Sequence, residues 1–158
     1  MLALLLALFS TQTVYASGLK GIEAFQRGKY EEALKYLHPA AEAGDPSAMY
    51  VLGRMYASGR GIAKDENAAT ALFLKAANLG QPEAQHSLGS ALMLGEGIDQ
   101  DMVEALKWFI ISGRAGNKAS ITYTKSIAKF LSLDMLREAK SKAQKWEKAQ
   151  SEKEADAK

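Results

Sequence analysis

A 36-residue internal repeat constrains the fold of this chain more than any other feature. Shifting the sequence by 36 residues aligns 48–83 with 84–119 without a gap, and ten of the 36 positions are identical. The identical pairs are Ala48/Ala84, Leu52/Leu88, Gly53/Gly89, Gly59/Gly95, Gly61/Gly97, Ile62/Ile98, Asp65/Asp101, Ala69/Ala105, Phe73/Phe109 and Gly80/Gly116. The chain is therefore expected to fold as a stack of similar units.

Each repeat predicts a pair of helices. Ala48, Leu52 and Met55 fall on one face of a helix, and the aligned residues of the second repeat, Leu88 among them, do the same. Beyond the glycines, Ala69 belongs to a second apolar stripe that also recurs. The pattern indicates an all-α protein.

Gly53 and Gly89 lie inside the first helix of their repeats. Glycine destabilises a helix interior by about 1 kcal/mol relative to alanine, so a reason for its presence is expected. Close packing against a neighbouring helix would supply that reason.

The loops "GRGIAKD" and "GEGIDQD" carry the repeated residues Gly59, Gly61 and Asp65, and Gly95, Gly97 and Asp101. A phosphate loop would need a preceding strand and a Gly-Lys-Ser/Thr ending, which "GRGIAKD" lacks. A calcium site could use Glu96, Asp99 and Asp101, but the sister loop offers only Asp65. We predict instead that Asp65 and Asp101 cap the helices that follow them.

Two less regular units flank the central repeats. We predict units at about 19–45, 46–81 and 82–117, then a divergent pair at 118–150 and a disordered tail at 151–158. In the last helix, Leu136, Ala139, Ala143 and Trp146 form one apolar stripe, and its other faces are charged. That charge suits a polar cap on the end of a stack better than a basic recognition helix.

The N-terminal sequence "MLALLLALFSTQTVYASG" predicts a signal peptide, residues 1–16, cleaved after Ala16. The apolar run is well short of the roughly 20 residues that span a bilayer as a helix. No Lys or Arg precedes the run, so a buried first helix is the alternative. We expect a periplasmic or secreted protein with no permanent membrane anchor.

Composition restricts the partners. The formal net charge is +2, from 20 basic and 18 acidic side chains, which gives no long-range field to attract nucleic acid. Cysteine is absent, so disulfides cannot stabilise the fold. The only histidines, His38 and His86, have no zinc-ligand spacing, and we expect neither a metal nor a cofactor.

Together, "AMYVLGRMYASGRGIAKDENAATALFLKAANLG" and "AQHSLGSALMLGEGIDQDMVEALKWFIISGRAG" resemble the Sel-one-like repeat, a relative of the tetratricopeptide repeat. Leu92 departs from the pattern where the first repeat has Tyr56. The resemblance implies a right-handed α-solenoid of about four antiparallel helix pairs. It further implies a concave face, formed by the first helix of each pair, that binds proteins or peptides.

The alternative function is that of an envelope enzyme or binder that acts on cell-wall material or β-lactams. The Ser-x-x-Lys motif of penicillin-recognising hydrolases occurs at Ser17–Lys20 and at Ser126–Lys129, but no Ser-Asp-Asn or Lys-Thr-Gly accompanies it. A cysteine-rich branch of the resembled family is linked to β-lactams, and this chain departs from that branch because it has no cysteine. We therefore predict a monomeric, non-catalytic binding protein.

The predicted binding surface lies on the first helices. Tyr50 and Arg54 align with His86 and Ser90, and Met93 follows one turn later. A patch of aromatic, cationic and polar side chains suits peptide recognition, whereas an ordinary solvated helix face is the alternative. The partner is expected to be a protein or peptide of the bacterial cell envelope.

Overall fold

The computed structural model of the chain describes residues 16–157, and every regular element in that range is an α-helix. The helices are α1 (16–26), α2 (Tyr30–Glu42), α3 (Pro46–Ser58), α4 (Glu66–Asn78), α5 (Pro82–Leu94), α6 (Met102–Arg114), α7 (Lys118–Ile127) and α8 (Leu133–Asp156). The predicted all-α solenoid of four helix pairs is confirmed. The predicted signal peptide, apart from Ala16, lies outside the described residues.

The chain divides into two compact units, one that ends at Gln81 and one that begins at Pro82. In the first unit, α3 packs on α2 and on α4. In the second unit, α5, α7 and α8 all pack on α6. Each unit therefore holds two helix pairs.

The helices begin where side-chain caps are available. The Asp65 carboxylate accepts a hydrogen bond from the backbone N–H of Ala68 at 2.9 Å, and Asp101 accepts from Val103 and Glu104 at 2.9 Å each. These bonds satisfy backbone donors that a helix N-terminus leaves without partners. The two acidic residues of the repeated loops thus serve as helix caps.

The glycines of those loops end the preceding helices. Gly59 has a φ of 67° and Gly61 a φ of 74°, in the left-handed region that glycine adopts without a steric penalty. Gly61 also lies directly against Tyr30 at the start of α2, where a side chain would not fit. The corresponding Gly95 and Gly97 have φ values of 76° and 66°.

The recurring leucines of α3 and α5 lie in the core. Leu52 is 3% exposed, and Leu88 is 0% exposed. Burying a leucine side chain stabilises a fold by about 1.5–3 kcal/mol, which explains why the repeat needs an apolar residue at this position. Because Leu88 has no accessible surface, its role is in packing, and it offers nothing to a partner.

Within each central pair, a helix glycine faces an aromatic ring on the second helix. A Cβ on Gly53 would lie 2.7 Å from Cε1 of Phe73, and a Cβ on Gly89 would lie 3.0 Å from Cε1 of Phe109. Both rings are buried. The two glycines therefore allow the helices of a pair to approach closely, as predicted from their position in the repeat.

The first pair makes the same kind of contact with an aliphatic side chain. A Cβ on Gly21 in α1 would lie 2.8 Å from Cγ of Leu37 in α2. Leu37 is fully buried and aligns with Phe73. Three of the four pairs thus pack a large apolar side chain onto a glycine.

The last helix differs from its prediction at its end. We predicted a disordered tail at 151–158, but α8 continues through Asp156, with a side-chain cap only at its start, Ser132. Neither glycine nor proline occurs after Gly116, so nothing in the sequence stops the helix. Lys148 and Glu152 form an i,i+4 ion pair of 3.8 Å that supports the added turns.

Changing Gly53 to Ala tests the packing of glycine on an aromatic ring. Helix propensity alone would stabilise this variant by about 1 kcal/mol, whereas overpacking of a filled core costs about 1–3 kcal/mol. Because the new methyl group would meet both the Phe73 ring and the Ala69 carbonyl oxygen, at 3.2 Å, we expect a net loss of unfolding free energy in urea denaturation. Gly89→Ala, whose methyl group would lie farther from its ring, is expected to lose less, and a more stable Gly53→Ala protein would contradict this account.

Candidate functional site

The first-unit part of the predicted surface is centred on Arg54 in α3. The Arg54 guanidinium lies 5.7 Å from the ring centroid of Tyr50 and 5.2 Å from that of Phe25. Tyr50 in turn contacts Phe73, with ring centroids 6.1 Å apart. The two cation–π contacts hold an exposed guanidinium in place.

Arg54 is not neutralised by a neighbour. Within residues 16–157 no carboxylate forms an ion pair with it. Its planar guanidinium therefore keeps N–H donors that match a carboxylate in geometry and charge. Phe25 was not part of the predicted surface, because it precedes the aligned repeats and only the fold brings it to Arg54.

The second-unit part consists of His86, Ser90 and Met93 in α5. The Ser90 hydroxyl donates to the His86 carbonyl at 3.2 Å, and the Met93 carbonyl accepts from the Gln100 side chain at 2.7 Å. All three predicted residues are half-buried. The structure thus joins His86 to Ser90 within this unit, and Tyr50 to Arg54 within the first.

Only one face of α5 can belong to the candidate surface. Leu88 lies between His86 and Ser90 in the sequence, yet its side chain is completely buried, as is that of Ala84 one turn earlier. The resemblance implies a binding face formed by the first helix of each pair, and in α5 the residues of the Leu88 face lie in the core and not on that face. A partner can reach His86, Ser90 and Met93, whereas Leu88 acts only through the core that supports them.

His86 is held by a chain of buried hydroxyl groups. The Ser112 hydroxyl donates to the Pro82 carbonyl at 2.7 Å, and the Ser120 hydroxyl donates to Ser112 Oγ at 2.9 Å. His86 Nδ1 lies 2.9 Å from Ser120 Oγ. Because the single proton of each hydroxyl is already used, His86 must donate from Nδ1, which leaves Nε2 as the acceptor.

Aromatic rings complete the surroundings of His86. Its ring centroid lies 5.4 Å from that of Phe109 and 5.3 Å from that of Tyr123, and these two rings stack at 5.2 Å. Burial lowers the pKa of His86 from its ordinary value, so the neutral imidazole is favoured. The neutral His86 ring contributes stability that is fully present above pH of about 6.5. That stability is lost as the pH falls through the pKa of His86 in the folded protein.

Sequence analysis missed Ser112 and Ser120, although the register contains a signal for them. Ser112 aligns with Ala76, and Ser120 aligns with Ala84, both of which are fully buried alanines. A serine at a buried alanine position needs a hydrogen-bond partner. For Ser120 that partner is His86, which lies one repeat length after Tyr50 in the sequence.

A carboxylate ties α8 to α6. Glu104 in α6 accepts from Lys142 in α8 at 2.6 Å and from Lys107 at 2.9 Å. Burial raises the pKa of Glu104, but the hydrogen bonds from the two lysines outweigh it and the pKa is lowered overall. The hydrogen bond to Glu104 correspondingly raises the pKa of Lys142.

The hydrolase motifs do not form a site. Ser126 and Lys129 are exposed, and their local contact is a 3.4 Å hydrogen bond from the Lys129 backbone N–H to the Ser126 carbonyl. At the other match, the Ser17 hydroxyl donates to the Tyr36 carbonyl at 3.5 Å. In residues 16–157, no group of three or more acidic or histidine side chains is arranged to hold a metal ion. No helix in this range is long and apolar enough to cross a membrane.

A family profile, the Sel1 repeat, matches the sequence at residues 15–45, 46–81 and 82–117. The chain belongs to the Sel1 repeat family. Sel1 repeats generally serve as protein-interaction modules. Comparison with curated proteins gave no match.

Two solved structures resemble the chain over most of its length. One is c5321, a protective antigen of uropathogenic Escherichia coli with an SLR fold, at 28% identity and a TM-score of 0.79. The other is a Sel1 repeat protein from Oxalobacter formigenes, at 27% identity and a TM-score of 0.68. The matches cover 84% and 82% of this chain but only 29% and 55% of those proteins.

Helicobacter pylori cysteine rich protein B is similar in fold. It matches at 23% identity and a TM-score of 0.62, over 72% of this chain and 90% of that protein. This match supports the arrangement of helix pairs.

Changing Ser120 to Ala tests the hydroxyl chain. In the unchanged protein at neutral pH, long-range proton–nitrogen NMR should show the His86 proton on Nδ1. Ser120→Ala removes the acceptor of that proton and is expected to cost about 1–3 kcal/mol of unfolding free energy. Ser126→Ala, on the exposed side of α7, is the control and should change little. A proton found on Nε2 in the unchanged protein would refute the assignment.

Changing Glu104 to Gln tests the link between α6 and α8. Because the lysines are partly exposed, the expected loss at neutral pH is about 1 kcal/mol or less. A lowered carboxyl pKa stabilises the fold fully above pH of about 4.3, and the benefit is lost as the pH falls through the folded-state pKa. The stability difference should therefore shrink in acid, as measured by thermal unfolding across pH. Glu138→Gln, which alters a 3.6 Å pair, should lose less at neutral pH.

Proposed function

We propose that this protein is a non-catalytic scaffold of the bacterial cell envelope that binds an acidic segment of a partner protein or peptide. The single observation that carries the proposal is Arg54, an exposed guanidinium held by two aromatic rings and left without an ion pair in the described chain. Family membership supports the binding role, and the sequence of residues 1–16 supports export.

Arg54 supplies the electrostatic part of recognition. A guanidinium that already stacks on Phe25 and Tyr50 loses less conformational freedom on binding than a free side chain would. Its donors can form paired hydrogen bonds to one carboxylate. A partner with Asp or Glu beside an apolar residue would contact both the cation and the rings.

His86, Ser90 and Met93 supply a different part of the proposed surface. Since Nδ1 of His86 is committed to Ser120, its remaining acceptor, Nε2, is the group available to a partner donor. Met93 adds an adaptable apolar contact. Within the second unit, these residues favour an uncharged stretch of a partner.

Crosslinking in intact cells and affinity measurement test the proposal together. A photoreactive amino acid in place of Ala57, one turn beyond Arg54 on the same helix face, should capture the partner, and one in place of Ala71 on the exposed side of α4 should not. Arg54→Gln should then weaken binding of the captured protein by about tenfold, and Arg54→Lys should restore little because it lacks the planar fork.

Lys35→Gln is the charge-matched control, since Lys35 is an exposed cation of α2. Equal affinities of Arg54→Gln, Lys35→Gln and the unchanged protein for the captured partner would exclude the Arg54 surface. Recovery of the protein from the cytoplasm with residues 1–16 still attached would exclude the envelope location.

A further inference from the structure

The fourth helix pair contains a cleft that the repeat surface does not explain. The cleft has a volume of about 390 Å³ and lies over α6, between α7 and α8. Apolar side chains of α6 form its floor, among them Leu106 and Ile110, and Ile121 and Leu136 line its walls. Its size falls in the range of roughly 300–1,000 Å³ typical of small-molecule sites.

The residues at fixed distances from the helix caps explain why the fourth helix pair leaves a cleft. In the pairs α3–α4 and α5–α6, the aromatic ring stands eight residues after the cap of the second helix, as Phe73 after Asp65 and Phe109 after Asp101. Eight residues after Ser132, the cap of α8, stands Lys140.

The glycine is replaced in the same way. Gly53 stands eight residues after Asp45, the cap of α3, and the residue eight after Asn117, the cap of α7, is Lys125. Where the other pairs pack a large apolar side chain on a glycine, the fourth pair therefore has a lysine at each of the two positions. A lysine is larger than a glycine and repels a second lysine, and α7 and α8, fully within the described chain, do not pack closely on each other.

The cleft holds two cations without a counter-ion. Lys125 and Lys140 both line it, and within residues 16–157 neither forms an ion pair. The third cation of the lining, Arg114, is already paired with Glu147 at 2.6 Å. Two unpaired positive charges beside an apolar floor are complementary to an anion with an apolar body.

We propose that this cleft binds a small apolar carboxylate of the medium-chain fatty acid class. The hydrocarbon chain lies on Leu106 and Ile110, and the carboxylate lies between Lys125 and Lys140. The site is independent of the Arg54 surface, because it uses other helices and other side chains.

Calorimetric titration with decanoate tests the proposal, with 1-decanol as the uncharged probe of the same chain length. The unchanged protein should bind one decanoate, and Lys125→Met with Lys140→Met should weaken decanoate binding by about tenfold or more while decanol binding changes little. Lys118→Met with Lys145→Met removes the same charge from exposed positions outside the cleft and should leave both ligands unaffected.

Two further variants separate ligand binding from folding. Ala128→Phe fills the cleft and should abolish binding of both probes. Thr124→Val removes a hydroxyl of the lining that is closed to solvent and has no hydrogen-bond partner in the described chain, and should raise the melting temperature of the free protein while leaving decanoate binding unchanged. Circular dichroism identifies any variant that fails to fold. Absence of decanoate binding by the unchanged protein, unaltered binding by a folded Ala128→Phe protein, or an equal loss in the Lys118/Lys145 control would overturn the proposal.

Discussion

The close approach of a glycine to a large apolar side chain is the contact on which the repeat depends. Each of the first three helix pairs has such a contact, Gly21 with Leu37, Gly53 with Phe73 and Gly89 with Phe109. A side chain larger than hydrogen at the glycine would push the second helix outward and open the core. The helix-propensity cost of glycine is therefore accepted at three places for the sake of packing.

Most of the fold follows from the sequence because its determinants are local and recur. In each central repeat, a glycine ends the first helix and an aspartate caps the second, so the 36-residue period fixes the loop between them. The fourth pair is less predictable, because the period is lost there. Phe130 is 86% exposed despite its large apolar side chain, since α7 ends at Ile127 and Ser132 then caps α8.

The candidate surface was less predictable than the fold, for a physical reason. Periodicity separates a core residue such as Leu88 from its neighbours on the helix, but it does not show which residues from outside the repeat come to rest beside those neighbours. Phe25 reaches Arg54 only through the packing of the first unit, and Ser120 reaches His86 only through the packing of α7 on α6. These contacts hold the Arg54 guanidinium against aromatic rings. They also leave Nε2 as the acceptor of a neutral His86 ring.

Local charge, rather than net charge, distinguishes the two proposed sites. A formal charge of +2 draws no polyanion from a distance, and most cations near the core are already matched, as Lys107 and Lys142 are by Glu104. Arg54, Lys125 and Lys140 are exceptions, and each stands beside apolar or aromatic surface. An unmatched cation on apolar surface gains most from a carboxylate that carries its own apolar group, since such a ligand satisfies the charge and covers the surface in one step. The same replacement that removes the glycine contact from the fourth pair supplies two of these three cations, so the loss of repeat packing and the gain of a ligand cleft have one origin in the sequence.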